Sequence, residues 1–139
     1  MELIVDTNIL FSYFWKNSLT KKILVDQKML LFAPEFALEE IKKYEKEIMV
    51  KTKLSKEEFD TIRTDLAICV EFLPLEHYKS HFKEALAISP DENDLDFFAL
   101  AIKRKAPLWS NDLFLKKQSA VKVFSTKEVL SKWLINELV

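Results

Sequence analysis

Short apolar runs along this chain alternate with longer segments in which apolar residues recur every three or four positions. Each short run is too brief for a core helix and has the continuous apolar character of a strand in a buried parallel sheet. These runs are residues 3–5, 29–33, 72–75, 106–109 and 121–124. Pro74 lies within the third run, and because proline cannot donate to a strand ladder, it places that strand at or near a sheet edge.

The longer segments carry the spacing and the start signals of helices. We predict helices over residues 7–16, 18–25, 35–49, 55–70, 78–88 and 95–105, and a last one from residue 126. Ser55 and Glu58 form a capping-box pattern, and the segment 95–105 is apolar on most sides, which predicts burial. Strands that alternate with helices throughout predict one α/β domain, residues 1–139, with a parallel sheet covered on both faces.

The composition excludes several classes of enzyme because the chain has no glycine. The P-loop, the dinucleotide-binding fingerprint and the nucleophile elbow each need glycine where the backbone approaches closely. ATPase, Rossmann dehydrogenase and α/β-hydrolase functions therefore lose their main support. Abundant Lys and Glu with only two Gln residues indicate a thermophilic source, and a melting temperature in the mesophile range would count against that prediction.

Charge and hydropathy limit the partners and the compartment. The formal net charge is −1, so nucleic acid would have to be bound through a local basic patch or a metal ion. Candidate patches are residues 103–105 and 116–117, although lysines in such places are more often solvated helix ends. No signal peptide is visible, and the early uncharged run 7–15 is well short of the ~18 residues of a membrane span. We expect a cytoplasmic protein with no membrane contact.

Two predicted strands end in an acid. Asp6 follows the first strand, which we expect to be central, and Asp112 follows the fourth. Because successive strands of a parallel sheet end at the same edge, the two carboxylates could meet there, where functional groups of open α/β sheets collect. The alternative is that Asp6 only caps the helix that follows it.

Further acids lie where helices could bring them to the same edge. At about 100° per residue, Glu40 borders the apolar face of its helix, whereas Glu39 lies on the polar side. Asp94 begins the buried helix 95–105, with Asp91 and Asp96 as close competitors. Carboxylates that are forced together repel one another and need a cation. All-oxygen ligands select Mg²⁺ or Mn²⁺, and the chemistry such a site serves is phosphodiester hydrolysis.

This pattern resembles the PIN-domain nucleases, a family that includes the VapC-type toxins of toxin–antitoxin pairs. The order and spacing of the motifs match along essentially the whole chain, and the two strand-end motifs are the most specific. The motifs are Val5-Asp6-Thr7-Asn8, Glu40-Ile41, Asp94 ahead of Phe98-Ala99-Leu100-Ala101, and Leu108-Trp109-Ser110-Asn111-Asp112. Counting back seven residues from Ala101, as in the helix pattern of the family, selects Asp94.

The resemblance implies a fold, a site and partners. The fold is a three-layer α/β/α arrangement with a five-stranded parallel sheet. The implied catalytic and metal-binding acids are Asp6, Glu40, Asp94 and Asp112. The implied polar supports of these acids are Asn8 and Ser110. The implied activity is Mg²⁺- or Mn²⁺-dependent cleavage of single-stranded RNA. The implied partners are an antitoxin protein and, as in many members, a second copy of the chain in a homodimer.

Two other functions remain open from the residues alone. An aspartyl-phosphate phosphatase also begins with an Asp at a strand end, but it needs a second Asp two residues later, followed by Gly, where this chain has Asn8 and Ile9. The second alternative is a PIN scaffold that binds RNA or protein without turnover. The presence of all four acids argues against a degenerate site of that kind.

Overall fold

Five parallel strands form one sheet in the order β3-β2-β1-β4-β5, with helices on both sides. The computed structural model describes residues 1–16 and 18–138. The strands are β1 (Glu2–Val5), β2 (Leu30–Pro34), β3 (Val70–Leu73), β4 (Leu108–Trp109) and β5 (Val123–Phe124). The predicted α/β class, the parallel sheet and the central position of the first strand are confirmed.

The helices occupy most of the segments that the apolar spacing predicts. They are α1 (Thr7–Phe11), α2 (Leu19–Leu24), α3 (Phe36–Lys43), α4 (Glu45–Thr52), α5 (Lys56–Cys69), α6 (Leu75–Tyr78), α7 (Phe82–Ile88), α8 (Leu95–Arg104) and α9 (Thr126–Leu138). Short 3₁₀ helices cover Ser12–Phe14, Lys79–His81, Glu92–Asp94 and Leu113–Lys117. The predicted capping box begins α5, where the Ser55 side chain accepts from the Glu58 N–H and the Glu58 carboxylate accepts from the Ser55 N–H.

The strand order reverses at β1, and this reversal locates the functional edge of the sheet. β2 and β3 continue to one side of β1, whereas β4 and β5 continue to the other. In open parallel sheets, ligands bind beyond the carboxyl ends of the strands at such a reversal. The register pairs Val5 with Trp109, the last residues of β1 and β4. The residues that follow them, Asp6 and Ser110, therefore lie side by side at that edge.

Helix α8 forms a large part of the core. Residues 97–101 are all buried, and the helix packs on β1 and β2. The prediction that this segment is buried on most sides is therefore confirmed. Because α8 is held by packing along its length, its first turn is fixed relative to the carboxyl end of β1, and Asp94 precedes that turn directly.

Three predicted helices are divided in the structure, and the first of them, 7–16, becomes α1 and the 3₁₀ helix Ser12–Phe14. The segment 35–49 divides into α3 and α4 at Tyr44, whose backbone (φ −99°, ψ 12°) departs from the helical region. The Tyr44 ring packs edge-on against Phe11, with 5.8 Å between centroids, so a tertiary contact coincides with a break that the apolar spacing does not signal. The segment 78–88 likewise divides at the 3₁₀ helix Lys79–His81.

The third strand begins earlier than predicted. Val70 pairs with Leu31, and Leu73 pairs with Pro34, so Pro74 follows the strand and caps α6 instead of lying within the ladder. The predicted edge position is confirmed. Within the described ranges, no helix is both long enough and apolar enough to cross a membrane.

Candidate active site

Asp6 is held in one orientation at the carboxyl end of β1. Its side chain is only 8% exposed. One oxygen, Oδ1, accepts from the Thr7 N–H at 2.8 Å, and the other, Oδ2, accepts from the Ser110 hydroxyl at 2.6 Å. Burial raises the pKa of the Asp6 carboxyl, the two hydrogen bonds oppose that rise, and the charge of Asp112 adds to it. The carboxylate is therefore fixed, but its negative charge is only partly compensated.

Ser110 links the two strand-end acids. Its side chain is 1% exposed, and its hydroxyl donates to Asp6 while its oxygen accepts from the Asp112 N–H at 3.1 Å. The Asp112 Oδ1 in turn accepts from the Phe114 N–H at 3.0 Å, which begins the 3₁₀ helix after β4. Asp112 is exposed, so its carboxylate faces solvent at the edge of the sheet.

Thr7 connects Asp6 to Glu40 and was not singled out by the sequence analysis. Its hydroxyl donates to the Glu40 Oε1 at 2.6 Å, while its backbone N–H binds Asp6. Burial raises the pKa of Glu40, the Thr7 hydrogen bond lowers it, and the charge of Asp6 raises it. The prediction that Glu40 faces inward is confirmed, since Glu40 is partly buried and Glu39 is exposed. The signal in the sequence that could have identified Thr7 is its hydroxyl side chain directly after a strand-end acid.

Asp94 is the acid on which the others converge. Its side chain does not cap α8. Partial burial raises its pKa to about 7, and the negative charges of neighbouring carboxylates add to the rise; these belong to Asp6, Asp91, Asp112 and Glu40. Four elements of the fold thus bring carboxylates within electrostatic reach of one another at the carboxyl edge of the sheet.

The competing acids Asp91 and Asp96 are engaged elsewhere. The Asp91 carboxylate accepts from the Asn93 N–H at 2.9 Å and so caps the 3₁₀ helix Glu92–Asp94. The Asp96 Oδ2 accepts from the phenol of Tyr78 at 2.6 Å, although its charge still reaches Glu40. Asn8, predicted as a polar support, is exposed and lines a surface groove with Phe11 and Trp15.

A family model for the PIN domain matches residues 4–132 of the chain. The chain belongs to the PIN-domain family. Members of this family are nucleases, and they generally use divalent metal ions. The resemblance in the sequence motifs is thereby confirmed. No curated protein matches the chain significantly.

The PIN fold is also found in a solved structure that is similar to this one. VapBC2 from Rickettsia felis, bound to a DNA fragment from its promoter, contains a chain that superimposes with a TM-score of 0.67. The two chains share 17% sequence identity, and the match covers 90% of this chain and 98% of the other. At that identity the likeness establishes the shared fold across nearly all of both chains.

The donor set of this PIN domain fits a hard divalent cation. Carboxylate oxygens from Asp6, Glu40, Asp94 and Asp112 are the ligand type that Mg²⁺ and Mn²⁺ prefer. In the part of the chain that the structure describes, no three acidic, histidine or cysteine side chains are already gathered around one point. Mutual repulsion keeps uncompensated carboxylates apart, and Mg²⁺ retains several waters, through which a ligand can bind indirectly.

The two predicted basic patches differ in their positions. Arg104 donates through Nε to the Glu2 Oε1 at 2.9 Å and stacks on the Phe32 ring. Because Glu2 begins β1, residues 103–105 lie at the opposite edge of the sheet from the acids. Lys116 and Lys117 follow Asp112 in the 3₁₀ helix; Lys116 pairs with Glu128, and Lys117 lies over the Phe114 ring.

Replacing Thr7 with Val should slow catalysis about 10- to 100-fold with little loss of stability. Val keeps the branched shape and the backbone N–H to Asp6 but removes the hydroxyl that orients Glu40. Because that hydrogen bond lowers the pKa of Glu40, its loss should move the acidic limb of the kcat profile to higher pH. The measurement is a pH–rate profile of nuclease activity. Thr64→Val, whose hydroxyl bonds only to a carbonyl of its own helix, is the control and should leave the profile in place.

Proposed function

We propose that this PIN domain is a Mg²⁺- or Mn²⁺-dependent endoribonuclease that hydrolyses phosphodiester bonds of single-stranded RNA. The observation that carries the proposal is the placement of carboxylates at one edge of the sheet by two hydroxyl residues. Ser110 links Asp6 to Asp112, and Thr7 links Asp6 to Glu40. Asp94 lies within electrostatic reach of all three. Carboxylates held near one another repel, which is unfavourable for a purely structural role and is the arrangement that a cation-binding site requires. Membership of a nuclease family supports the reaction.

In this mechanism the acids divide into metal ligands and a base. Asp6, Asp94 and Asp112 would hold the ion directly or through water, and the bound ion supplies a lowered water pKa and a positive charge near the phosphate. Glu40 accepts the proton of the attacking water. Its Oε1 is held by the Thr7 hydroxyl, so the carboxylate keeps one orientation during proton transfer.

Supporting residues keep this arrangement in place before substrate arrives. Ser110 holds the Asp6 Oδ2 and the Asp112 backbone with a single hydroxyl. Asp91 shapes the turn that presents Asp94, and Asp96 is fixed by Tyr78 next to Glu40. Water attacks phosphorus, the bond to one bridging oxygen breaks, and the products are a phosphate monoester and a free hydroxyl.

The biological setting that we propose is a cytoplasmic toxin with an antitoxin partner. Support comes from the similar fold in VapBC2, which was solved bound to promoter DNA, and from the sequence resemblance to VapC-type toxins. A homodimer belongs to the same proposal. Co-purification with the product of a neighbouring gene, and inhibition of cleavage by that product, would test the antitoxin directly.

The metal requirement is tested by calorimetric titration of Mg²⁺ and of Mn²⁺ into the native chain and into Asp6→Asn. Removing one ligand from a site of this kind should weaken binding at least about 10-fold, because the remaining carboxylates supply less charge and fewer oxygens. Glu47→Gln, which removes an exposed carboxylate that pairs with Lys51, is the matched control and should titrate like the native chain. Equal affinity in native and Asp6→Asn proteins would favour the alternative of a PIN scaffold that binds RNA or protein without turnover.

Cleavage assays complete the test of the proposed function. Single-stranded RNA should be cut in Mg²⁺ or Mn²⁺ and left intact in EDTA. Activity that survives chelation indicates a contaminating nuclease instead of this site. A phosphoenzyme trapped with a phosphoryl donor would favour the aspartyl-phosphate alternative.

A further inference from the structure

A cavity of about 330 Å³ opens directly beside Glu40. It lies between α3 and the 3₁₀ helix Glu92–Asp94, which precedes α8. Its lining combines two aromatic rings with charged and amide side chains, and consists of Phe36, Glu39, Glu40, Lys43, Tyr44 and Asn93. Because Glu40 is both a wall of the cavity and the proposed base, whatever occupies the cavity is next to the reacting phosphate.

Tyr44 provides an aromatic wall that is fixed in position. It follows Glu40 by one helical turn, and its N–H donates to the Glu40 carbonyl at 3.1 Å. The ring packs edge-on against Phe11, with an interplanar angle of 79°, yet the residue remains 39% exposed. A partly exposed aromatic ring that is held in position by a neighbouring ring is suited to stacking on a flat ligand.

Polar groups at the rim of the cavity can recognise the edge of such a ligand. Asn93 offers an amide oxygen and two N–H donors, and its backbone is held by Asp91. The Lys43 ammonium lies over the Tyr44 ring, 5.5 Å from its centre. A base that stacks on the ring would take the place of the ammonium, and the flexible Lys43 side chain could then contact the phosphate of the same nucleotide. The carboxylates of Glu39 and Glu40 accept hydrogen bonds and repel anions, so the neutral part of a nucleotide fits inside and the phosphate does not.

We propose that this cavity holds the base of a nucleotide next to the scissile phosphate, stacked on Tyr44, with Lys43 contacting the RNA backbone. The inference rests on the proposed function and deepens it by assigning a base-binding subsite to the same catalytic centre. A protein partner is disfavoured as the occupant because Glu40, the proposed base, lines the cavity.

The first arm of the test measures steady-state cleavage of a labelled single-stranded RNA whose cleavage position has been mapped with the native chain. Stacking of a base on an aromatic ring is lost in Tyr44→Ala, so KM should rise about 5- to 150-fold while kcat changes little. Tyr44→Phe keeps the ring and should restore KM to within about threefold. Val50→Ala, an exposed apolar residue on α4 at 78% exposure, is the matched control and should behave like the native chain.

The second arm separates base stacking from a structural defect at Tyr44. The same RNA is prepared with an abasic residue at each position in turn around the cleaved bond. At one position adjacent to the bond, removal of the base should raise KM for the native chain and should have no further effect on Tyr44→Ala. A variant that is merely less stable would lose activity equally on every RNA.

Two outcomes overturn the subsite without touching the nuclease proposal. One is an unchanged KM in Tyr44→Ala, and the other is an additive effect of Tyr44→Ala and the abasic residue at every position. Either would leave the cavity to a protein partner. Failure of the nuclease proposal itself looks different, because the native chain would then cleave no RNA in Mg²⁺ or Mn²⁺.

Discussion

Replacing Asp6 with Asn is expected to reduce metal-dependent RNA cleavage by at least about 10³-fold, the equivalent of about 4 kcal/mol of transition-state stabilisation. The change removes a negative charge and one oxygen of the proposed metal site. It should leave the fold intact. The Asn amide cannot accept from both Thr7 and Ser110, and the lost hydrogen bond lowers the free energy of unfolding by about 1–3 kcal/mol. This loss is offset because the variant no longer buries a carboxylate, the group whose pKa is raised by burial in the native chain.

The measurement is single-turnover cleavage, with the melting temperature recorded for each protein. Asp60→Asn removes an exposed carboxylate on α5 that pairs with Lys56, and because surface pairs of this kind contribute little, it should retain activity within about twofold. Full activity in a purified, folded Asp6→Asn protein would refute the assignment of the site. Loss of activity accompanied by loss of the folded state would call for Asp6→Ser as a second variant.

Replacing Asp94 with Asn is expected to lower cleavage at least about 10²-fold and, at the same time, to raise the stability of the metal-free protein. The pKa of Asp94 is raised to about 7 by partial burial and by neighbouring carboxylates, so its charged form is unfavourable in the fold at neutral pH. Removing that charge should increase the free energy of unfolding by about 1–2 kcal/mol at pH 7.5, after allowance for screening of a half-exposed side chain by water.

The raised pKa of Asp94 determines how the free energy of unfolding changes with pH. Asp94 has an ordinary pKa of 3.8 in the unfolded chain and about 7 in the fold, so between these values the folded state binds the proton more tightly. The free energy of unfolding in EDTA should therefore fall as pH rises from about 4 to about 7 and then level off. In Asp94→Asn this fall should be shallower, with the remainder due to Asp6 and Glu40, whose pKa values are also raised.

Urea titrations at several pH values, with and without Mg²⁺, test both parts. Mg²⁺ should stabilise the native chain by binding to the folded state and should have little effect on Asp94→Asn. The control is Asp65→Asn, an exposed acid on α5, which should keep the native pH dependence. A metal-free Asp94→Asn protein that is less stable than the native chain at pH 7.5 would show that Asp94 acts as a helix cap or packing residue.

The sheet was largely predictable because buried parallel strands leave a signal in the sequence. The apolar runs at β1, β2 and β4 are short and continuous, and the turns between them carry polar residues and proline. The break at Tyr44 was not predictable, because Ile41, Tyr44 and Ile48 continue the helical spacing without a glycine or proline. The break coincides with a contact to Phe11, a residue 33 positions earlier. The hydrogen bond between Thr7 and Glu40 spans the same distance along the chain. Local spacing carries no information about contacts of that range.

The positions of the candidate acids in the fold were predictable from the sequence, but the hydrogen bonds that connect them were not. Position after a strand identifies Asp6 and Asp112, and helical periodicity separates Glu40 from Glu39. Position before the buried helix leaves Asp91, Asp94 and Asp96 nearly equivalent, and only the helix pattern of the PIN family selects Asp94. In the structure they differ in their hydrogen bonds, since Asp91 caps a turn, Asp96 binds Tyr78 and the Asp94 side chain does not cap α8. Thr7 was missed because a hydroxyl at a helix start is common and has many ordinary explanations.

The two hydrogen bonds that hold Asp6 have a consequence for ion preference. Because Thr7 and Ser110 fix both oxygens of this side chain, its rotamer entropy is lost when the chain folds and not when a ligand binds. Asp112 is exposed and Asp94 is half-buried, so these two keep more freedom. Ions of different radius would be accommodated by movement of the outer carboxylates around a stationary one. Substitutions at 94 or 112 would then alter which ion is preferred, whereas substitution at 6 would abolish the binding of any such ion.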